Sequence, residues 1–476
     1  MTMTLAIARL LVALFLAVRL AGAGASELPD AVARALDAAG IPEAAVAVWV
    51  QPVDGDAATL SLNAASPMNP ASVMKLVTAF AVLERFGPAH VWTTRVSATG
   101  PVRAGVLEGD LYLTGGGDPL LSDERMWKLL HRLRALGIDK VRGDIVLDGS
   151  ALQLPPHDPA AFDGRALRPY NSGAHGLLLH FNTLQLTLLP GTPGERTEVA
   201  ANPPLKGIEL DNRIVTAAGD CGVWYGQLDA TLDAGPGGPR LVLLGSLPAA
   251  CGQRTWAISP LPPERFAAAA VAGLWAETGG KVDGVVRPGR TPADATPLLT
   301  EASPTLADAV REMNKWSSNV IARQLLATLG AGDPASLDMV ADGALAARAQ
   351  LEAAGIPTTG LVIENGSGLS RSERVSARTL GEILLAAWKR SYMPEFIAAL
   401  PVAGVDGTAR GRLNGSPASG RAHIKTGAIN EVRSIAGYVL DRSGRRHAVV
   451  MIVNHPQAGE SRPALDALLE WVWDAR

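Results

Sequence analysis

Cysteine is nearly absent from this 476-residue chain: Cys221 and Cys251 are the only two. With no histidine cluster near them they make a poor zinc site. No sign of charge dominates either. Lys+Arg is 43 against Asp+Glu 46, a formal net charge of −3, which gives no bulk reason to expect nucleic acid as a partner. No apolar run approaches the ~20 residues that a bilayer-spanning helix needs. The eight histidines include no H-E-x-x-H, which disfavours a zinc peptidase. A G-x-S-x-G elbow between a strand and a helix is missing too, which disfavours an unrelated Ser-His-Asp hydrolase. The Gly115–Gly117 run lacks the Lys-Ser/Thr of a phosphate-binding loop and reads as a turn. No repeat of fixed period is visible.

The composition that remains is globular. Hydrophobic residues make 47% and charged residues 19%, enough for a large core and too apolar for a disordered chain. The length suggests two or three domains. The first 25 residues read as an export signal. Arg9 supplies charge, Leu10–Val18 is apolar, and Ala21–Ala25 offers cleavage after Ala23 or Ala25; Arg19, just after the apolar core, fits less well. Export would place the chain in the periplasm, an oxidising compartment where Cys221 and Cys251 could pair.

Strand patterns at Ala45–Gln51 and Ala58–Leu62 precede a helix that opens at Asn69–Lys75 and runs to Phe86, with Gly87 as its stop. From residue 93 to 260 short β-like runs alternate with Gly and Pro, interrupted by one helix, and we expect a separate, mostly β insertion there. Helical patterns return at Pro262–Thr278, Thr305–Asn314, Val320–Leu329 and Leu337–Ala354, the last with Ser336 as cap. Strands at Ser434–Leu440 and His447–Val453 and a helix opened by Pro463, with Ser461 as cap, close the chain. The expected division is 26–92 and 261–476 as two pieces of one domain, with 93–260 inserted.

Three short motifs carry chemistry. Ser72-Val73-Met74-Lys75 puts a hydroxyl and an amine at i and i+3, neighbours on one helix face. A serine needs a base to take its proton, and a lysine is that base only if burial or a nearby cation depresses its pKa. Lys425, of Lys425-Thr426-Gly427, would be that cation. The second motif, Ser317-Ser318-Asn319, sits before a helix; Ser317 could relay a proton and Asn319 hold a substrate amide. Lys425 and Thr426 would bind a carboxylate. The N–H groups of Ser72 and Ala428, beside Gly427, would receive an oxyanion. Each motif alone is weak; K-T-G arises by chance in roughly one chain in ten of this length. The S-x-x-K, S-x-N, K-T-G order matches the set found in penicillin-binding proteins and class A β-lactamases, with Ser318 where the strict second motif has Asp.

On these residues the chain resembles the type-4 low-molecular-mass penicillin-binding proteins, the D-alanyl-D-alanine carboxypeptidase/endopeptidases of the S13 serine peptidase family. Asn69–Lys75, Gly115–Pro119, Arg168–Asn171 with Asn182, and Gly366–Arg371 carry the resemblance; Asn365 departs from the family's usual Asp. About half the chain separates Ser72 from Ser317, as an insertion between the motifs requires. The resemblance implies an α+β fold: a DD-peptidase/β-lactamase-like transpeptidase domain, an antiparallel sheet flanked by helices, with mostly β domains inserted. It implies acylation of Ser72 by peptidoglycan stem peptides, opening of D-Ala–diaminopimelate cross-links, covalent inhibition by β-lactams, and no cofactor or metal. Arg371 and Asp163 would bind the free end of the diaminopimelate side chain. A serine β-lactamase is the alternative, although no Glu can be placed as its deacylating base. A non-catalytic peptidoglycan-binding protein is the second.

Overall fold

The computed structural model describes residues 27–235, 238–332 and 336–475. The expected export signal at 1–25 lies outside them.

Two distant pieces of sequence build one sheet. The first contributes α1 (Asp30–Ala38), β1 (Val46–Pro52), β2 (Leu60–Leu62) and α2 (Lys75–Phe86). The second contributes α3 (Leu306–Lys315), α4 (Asn319–Gly330), α5 (Met339–Ala353), α6 (Ala377–Trp388), β3 (Ala422–Ile429), β4 (Val432–Leu440), β5 (Arg446–Asn454) and α7 (Arg462–Trp473). The strands run antiparallel in the order β2-β1-β5-β4-β3, with Val48 opposite Met451 and Thr426 opposite Ile435.

Alternate side chains of a strand leave opposite faces. Val46, Val48, Val50, Ile435 and Met451 therefore join Val32, Leu36, Leu465 and Leu468 of α1 and α7. Ala47, Trp49, Ala436, Tyr438 and Val450 join the side chains of α2, α3, α4 and α6 on the other face. Both faces are covered, so these strands are continuously apolar, and each buried Val, Leu or Ile contributes about 1.5–3 kcal/mol. Helix α2 is buried from Lys75 through Leu83, which explains its nearly all-round apolar sequence. It ends where Gly87 takes φ +74.

The insertion has its own core. A mixed five-stranded sheet runs Val286–Pro288, Ile145–Asp148, Leu111–Gly115, Thr93–Ala98, Thr296–Ala302, and helices Asp123–Ala135 and Pro263–Glu277 share its apolar cluster. Smaller sheets are built around Leu184–Leu189 and the hairpin Leu228–Gly235 with Gly238–Pro248. The boundary expected at 260 is corrected to about Ala302. Phe266, Val271 and Trp275 are buried in the insertion's core, and Thr296–Ala302 pairs antiparallel with Thr93–Ala98. An apolar helix pattern looks the same whichever core it enters, so the sequence could not assign 261–302.

Cys221 and Cys251 form the expected disulfide, with Cα atoms 4.7 Å apart. Two caps differ from expectation. Asp338, not Ser336, caps α5, accepting from the N–H groups of Val340 and Ala341 at 3.1 and 3.0 Å, while Ser336 Oγ accepts from Asp338 N–H. Ser461 leaves α7 uncapped, because its hydroxyl donates to Ala458 O at 2.7 Å. Among the described residues no helix is long and apolar enough to cross a membrane.

Candidate active site

The nucleophile turn is held from both sides. Asn69 N–H donates to Asn454 Oδ1, and Asn454 Nδ2 donates to Asn69 O, both at 2.9 Å. Asn69 Nδ2 donates to Ser370 O, and its Oδ1 accepts from Ala71 N–H, again at 2.9 Å. Ala71 then takes φ +46, a conformation that costs a non-glycine residue roughly 1–2 kcal/mol. That strained turn delivers Ser72, half-buried, into the 3₁₀ segment Ala71–Met74 that leads into α2. The first N–H groups of a helix have no intrahelical acceptor, so this end of α2 is a natural place to receive negative charge.

Lys75 lies fully buried one turn on. Its Nζ is 3.1 Å from Ser72 Oγ, 2.7 Å from Asn319 Oδ1 and 2.5 Å from Ser367 O. Burial first, and then the Lys425 ammonium, hold the Lys75 pKa well below the ordinary lysine value; Glu373 pulls the other way. A neutral amine within reach of a half-buried hydroxyl can act as its general base.

The second motif turns at Ser317, with φ +58. Ser318 caps α4, its Oγ accepting from Ile321 N–H at 3.3 Å, so the position that departs from Asp is filled by another good N-cap residue. Asn319 opens α4. Its Oδ1 receives Lys75 and its Nδ2 donates to Tyr170 O at 3.2 Å. These bonds orient the Lys75 amine, and the amide nitrogen has a second N–H with which to meet a substrate amide, the role expected of it.

The third motif lies on β3, the edge strand. Lys425 is fully buried, donating to Ser317 Oγ at 2.9 Å and to Thr426 O at 2.8 Å, and burial lowers its pKa to about 7. Gly427 lies against the nucleophile turn: a Cβ there would stand 2.6 Å from Pro70 O and 3.1 Å from Ser72 N, and would collide with Ser434 Oγ. Ser434 Oγ donates to Pro70 O at 2.5 Å. Ala428 follows Gly427, exposed on the edge strand. Thr426 is half-buried, and its Oγ1 lies 3.1 Å from Thr408 Oγ1.

The two remaining candidates meet through a neighbour. The Arg371 guanidinium lies over the Phe162 ring, 4.8 Å from its centroid, and donates to Asn430 O. Asp163, next to Phe162, is exposed and accepts from Tyr170 Oη at 2.7 Å and Asn171 Nδ2 at 2.8 Å. Phe162, Asn171 and Arg371 line a cleft of about 870 Å³ between the insertion and the Ile363–Ser372 turn. Asn365, where an Asp was the family expectation, accepts from Ser367 N–H and Oγ while its Nδ2 donates to Leu369 O. An amide suits that position because a second carboxylate oxygen could not donate to the Leu369 carbonyl. Among the described residues no group of three or more His, Cys, Asp or Glu is placed to hold a metal ion.

Sequence reasoning passed over Asn454, Ser434, Thr408, Glu373 and the Ser367 carbonyl. Asn454 left a signal, a polar residue closing an otherwise apolar strand. The Ser367 contact is made by backbone and leaves none.

The D-Ala-D-Ala carboxypeptidase 3 (S13) family profile matches residues 28–472. The D-alanyl-D-alanine carboxypeptidase of Actinomadura sp. (strain R39) is 32% identical over 408 residues, covering 82% of this chain and 74% of that one. The crystal structure of penicillin binding protein 4 (dacB) from Haemophilus influenzae superposes with a TM-score of 0.74 at 24% identity, covering 93% of this chain and all of that one. The structure of the same protein complexed with a β-lactam gives a TM-score of 0.71 at 23% identity, with 92% and 99% covered. At these identities the two structures establish the fold: the expected DD-peptidase/β-lactamase-like architecture with added sheet domains.

Proposed function

The chain belongs to the D-Ala-D-Ala carboxypeptidase (S13) family of serine peptidases, and from that premise we propose that Ser72 is the nucleophile of an acyl-transfer enzyme that trims peptidoglycan stem peptides. The observation that carries this reading is the buried Lys75 amine, 3.1 Å from Ser72 Oγ and held in place by Asn319 and Ser367.

In this reading neutral Lys75 takes the Ser72 proton as Oγ attacks the carbonyl carbon of the penultimate D-Ala. The oxyanion settles between the N–H groups of Ser72 and Ala428. Gly427 makes that approach possible because it carries no Cβ against Pro70 and Ser72. Ser317, bonded to Lys425, and Lys75 pass the proton on to the departing amine, terminal D-Ala leaves, and water then hydrolyses the ester on Ser72. The ammonium of Lys425 and the hydroxyl of Thr426 hold the terminal carboxylate. The same chemistry opens a D-Ala–diaminopimelate cross-link, with the diaminopimelate side chain in the cleft between Asp163 and Arg371. A β-lactam acylates Ser72 in the same way, but its leaving amine stays tethered. The substrate places the enzyme in the periplasm, consistent with the export signal read in the sequence.

The test is an intact-mass time course with excess benzylpenicillin. A lasting one-to-one adduct on the Ser72 peptide, absent from Ser72→Ala, is the expected result. Rapid loss of penicillin without an adduct would move the reading to a β-lactamase; neither adduct nor loss would remove Ser72 as nucleophile.

A further inference from the structure

Glu373 is a buried acid that the reaction described above leaves unused. It lies at the end of the turn that follows Gly366, with no exposed surface. Its Oε1 accepts three successive backbone N–H groups, from Glu364, Asn365 and Gly366, at 3.1, 3.0 and 2.8 Å. Its Oε2 is buried without a hydrogen-bond partner. A buried carboxylate is expensive unless something nearby needs its charge.

The turn it holds reaches the catalytic base. Gly366 O accepts from Thr78 Oγ1 on α2 at 2.7 Å, and Ser367 O accepts from Lys75 Nζ at 2.5 Å. Gly368, with φ +81, lies so close to Ala71 O and Ser72 N that no Cβ fits there. A shift of this turn would therefore move both the Lys75 acceptor and the wall behind Ser72. The charges around Lys75 are two cations, Lys425 and Arg323, and one anion, Glu373. Arg323 is itself buried, and its Nη1 donates only to the carbonyls of Tyr170 and Ser172. Glu364 is the acid that faces Glu373.

We propose that ionised Glu373 is a positioning residue for the base: it locks the 364–368 turn that holds Lys75 against Ser72, and its negative charge balances the buried cations around that amine. Burial pushes its carboxyl up, against the three N–H donors that stabilise the anion. This proposal rests on the reading of Lys75 as the base of Ser72.

The experiment compares wild type, E373Q, E373D and E373A. The pH dependence of penicillin acylation gives one readout. The titration of Lys75 by NMR of protein carrying [13Cε]-lysine gives a second that needs no activity. E373Q can still accept the three N–H groups, so it removes charge while keeping the turn. Losing that anion makes the Lys75 ammonium less favourable, so the acid limb and the NMR titration move down together by about one pH unit, the order expected for removing one nearby unit charge at an effective dielectric near 20. E373D brings both back toward wild type. E373A lets the turn go and slows acylation by about tenfold or more, in line with the loss of positioning at a nucleophile. Circular dichroism and melting temperature establish that each variant is folded. A folded E373Q that titrates as wild type overturns the proposal, and so does a folded E373A that acylates at the wild-type rate. If wild type forms no adduct but the NMR titration shifts as stated, it is the functional reading that fails.

Discussion

Gly427→Ala adds one methyl group where β3 meets the nucleophile turn. That methyl would stand 2.6 Å from Pro70 O. A comfortable carbon–oxygen contact is about 3.3 Å, so the two backbones must part by roughly 0.7 Å. Neither yields easily. Pro70 O is bonded to Ser434 Oγ, which the new methyl also meets, and the Pro70–Ser72 segment is fixed through Asn69 to β5. Separation moves Ala428 N–H away from Ser72 N–H, and a displacement near 1 Å, or the loss of one oxyanion donor, costs about 10²-fold in rate. We therefore expect acylation by benzylpenicillin to slow by about 10²-fold, about 2.7 kcal/mol in the barrier. Overpacking costs about 1–3 kcal/mol of stability, and an edge strand can absorb it without unfolding the domain. Stopped-flow acylation and a thermal melt read the two effects separately. A folded G427A that acylates within about threefold of wild type would refute the close approach on which the oxyanion site is built.

Other consequences follow from the two lysines. Acylation needs Lys75 neutral and Lys425 charged, so kcat/KM should rise through an acid limb far below the ordinary lysine value and fall as free Lys425 loses its proton near pH 7. A profile that only begins to rise near pH 10 would exclude Lys75 as base. K425M should abolish acylation yet stabilise the protein at pH 6. The Lys425 pKa is about 7 when folded and near 10.5 when unfolded, so the unfolded state binds more protons between those values; the cost is complete below 7 and fades as pH rises to 10.5. Removing that cost, several kcal/mol by its shift, outweighs two hydrogen bonds worth about 1 kcal/mol each. Urea unfolding at pH 6 and 9 checks the sign: the variant's advantage must shrink at the higher pH.

The three motifs were legible because each is local. Ser72 and Lys75 share a helix face, Ser317 and Asn319 share a helix start, and Lys425 to Gly427 share a strand. The strands β1, β4 and β5 were legible because burial on both faces leaves a continuous apolar run. What failed depends on neighbours distant in sequence. The helix Pro263–Glu277 joined the insertion because Thr296–Ala302 returns to pair with Thr93–Ala98, a contact that no local pattern encodes. The Tyr170 carbonyl that meets Asn319 Nδ2 also comes from the insertion, 149 residues away in sequence, and left no local signal. Glu373 was passed over because nothing local marks it, and only the fold brings it into the electrostatic range of Lys75.

The site asks two buried lysines to hold opposite charge states, and the substrate settles which is which. Burial alone depresses Lys425, whereas Lys75 is depressed by burial and by the Lys425 charge. Lys75 is therefore held in its neutral, proton-accepting form most firmly while Lys425 keeps its proton. A terminal carboxylate bound at Lys425 and Thr426 stabilises that ammonium and raises its pKa. It thus secures the charge that keeps Lys75 neutral, so recognition of the carboxylate and activation of Ser72 are one event. An otherwise identical substrate whose terminal carboxyl is amidated should then lose kcat as well as affinity. Its alkaline limb in kcat should stay near pH 7, while that of the carboxylate substrate moves upward. If amidation raises KM alone and leaves kcat and both limbs in place, the carboxylate serves only for binding and the coupling between the two lysines plays no part in catalysis.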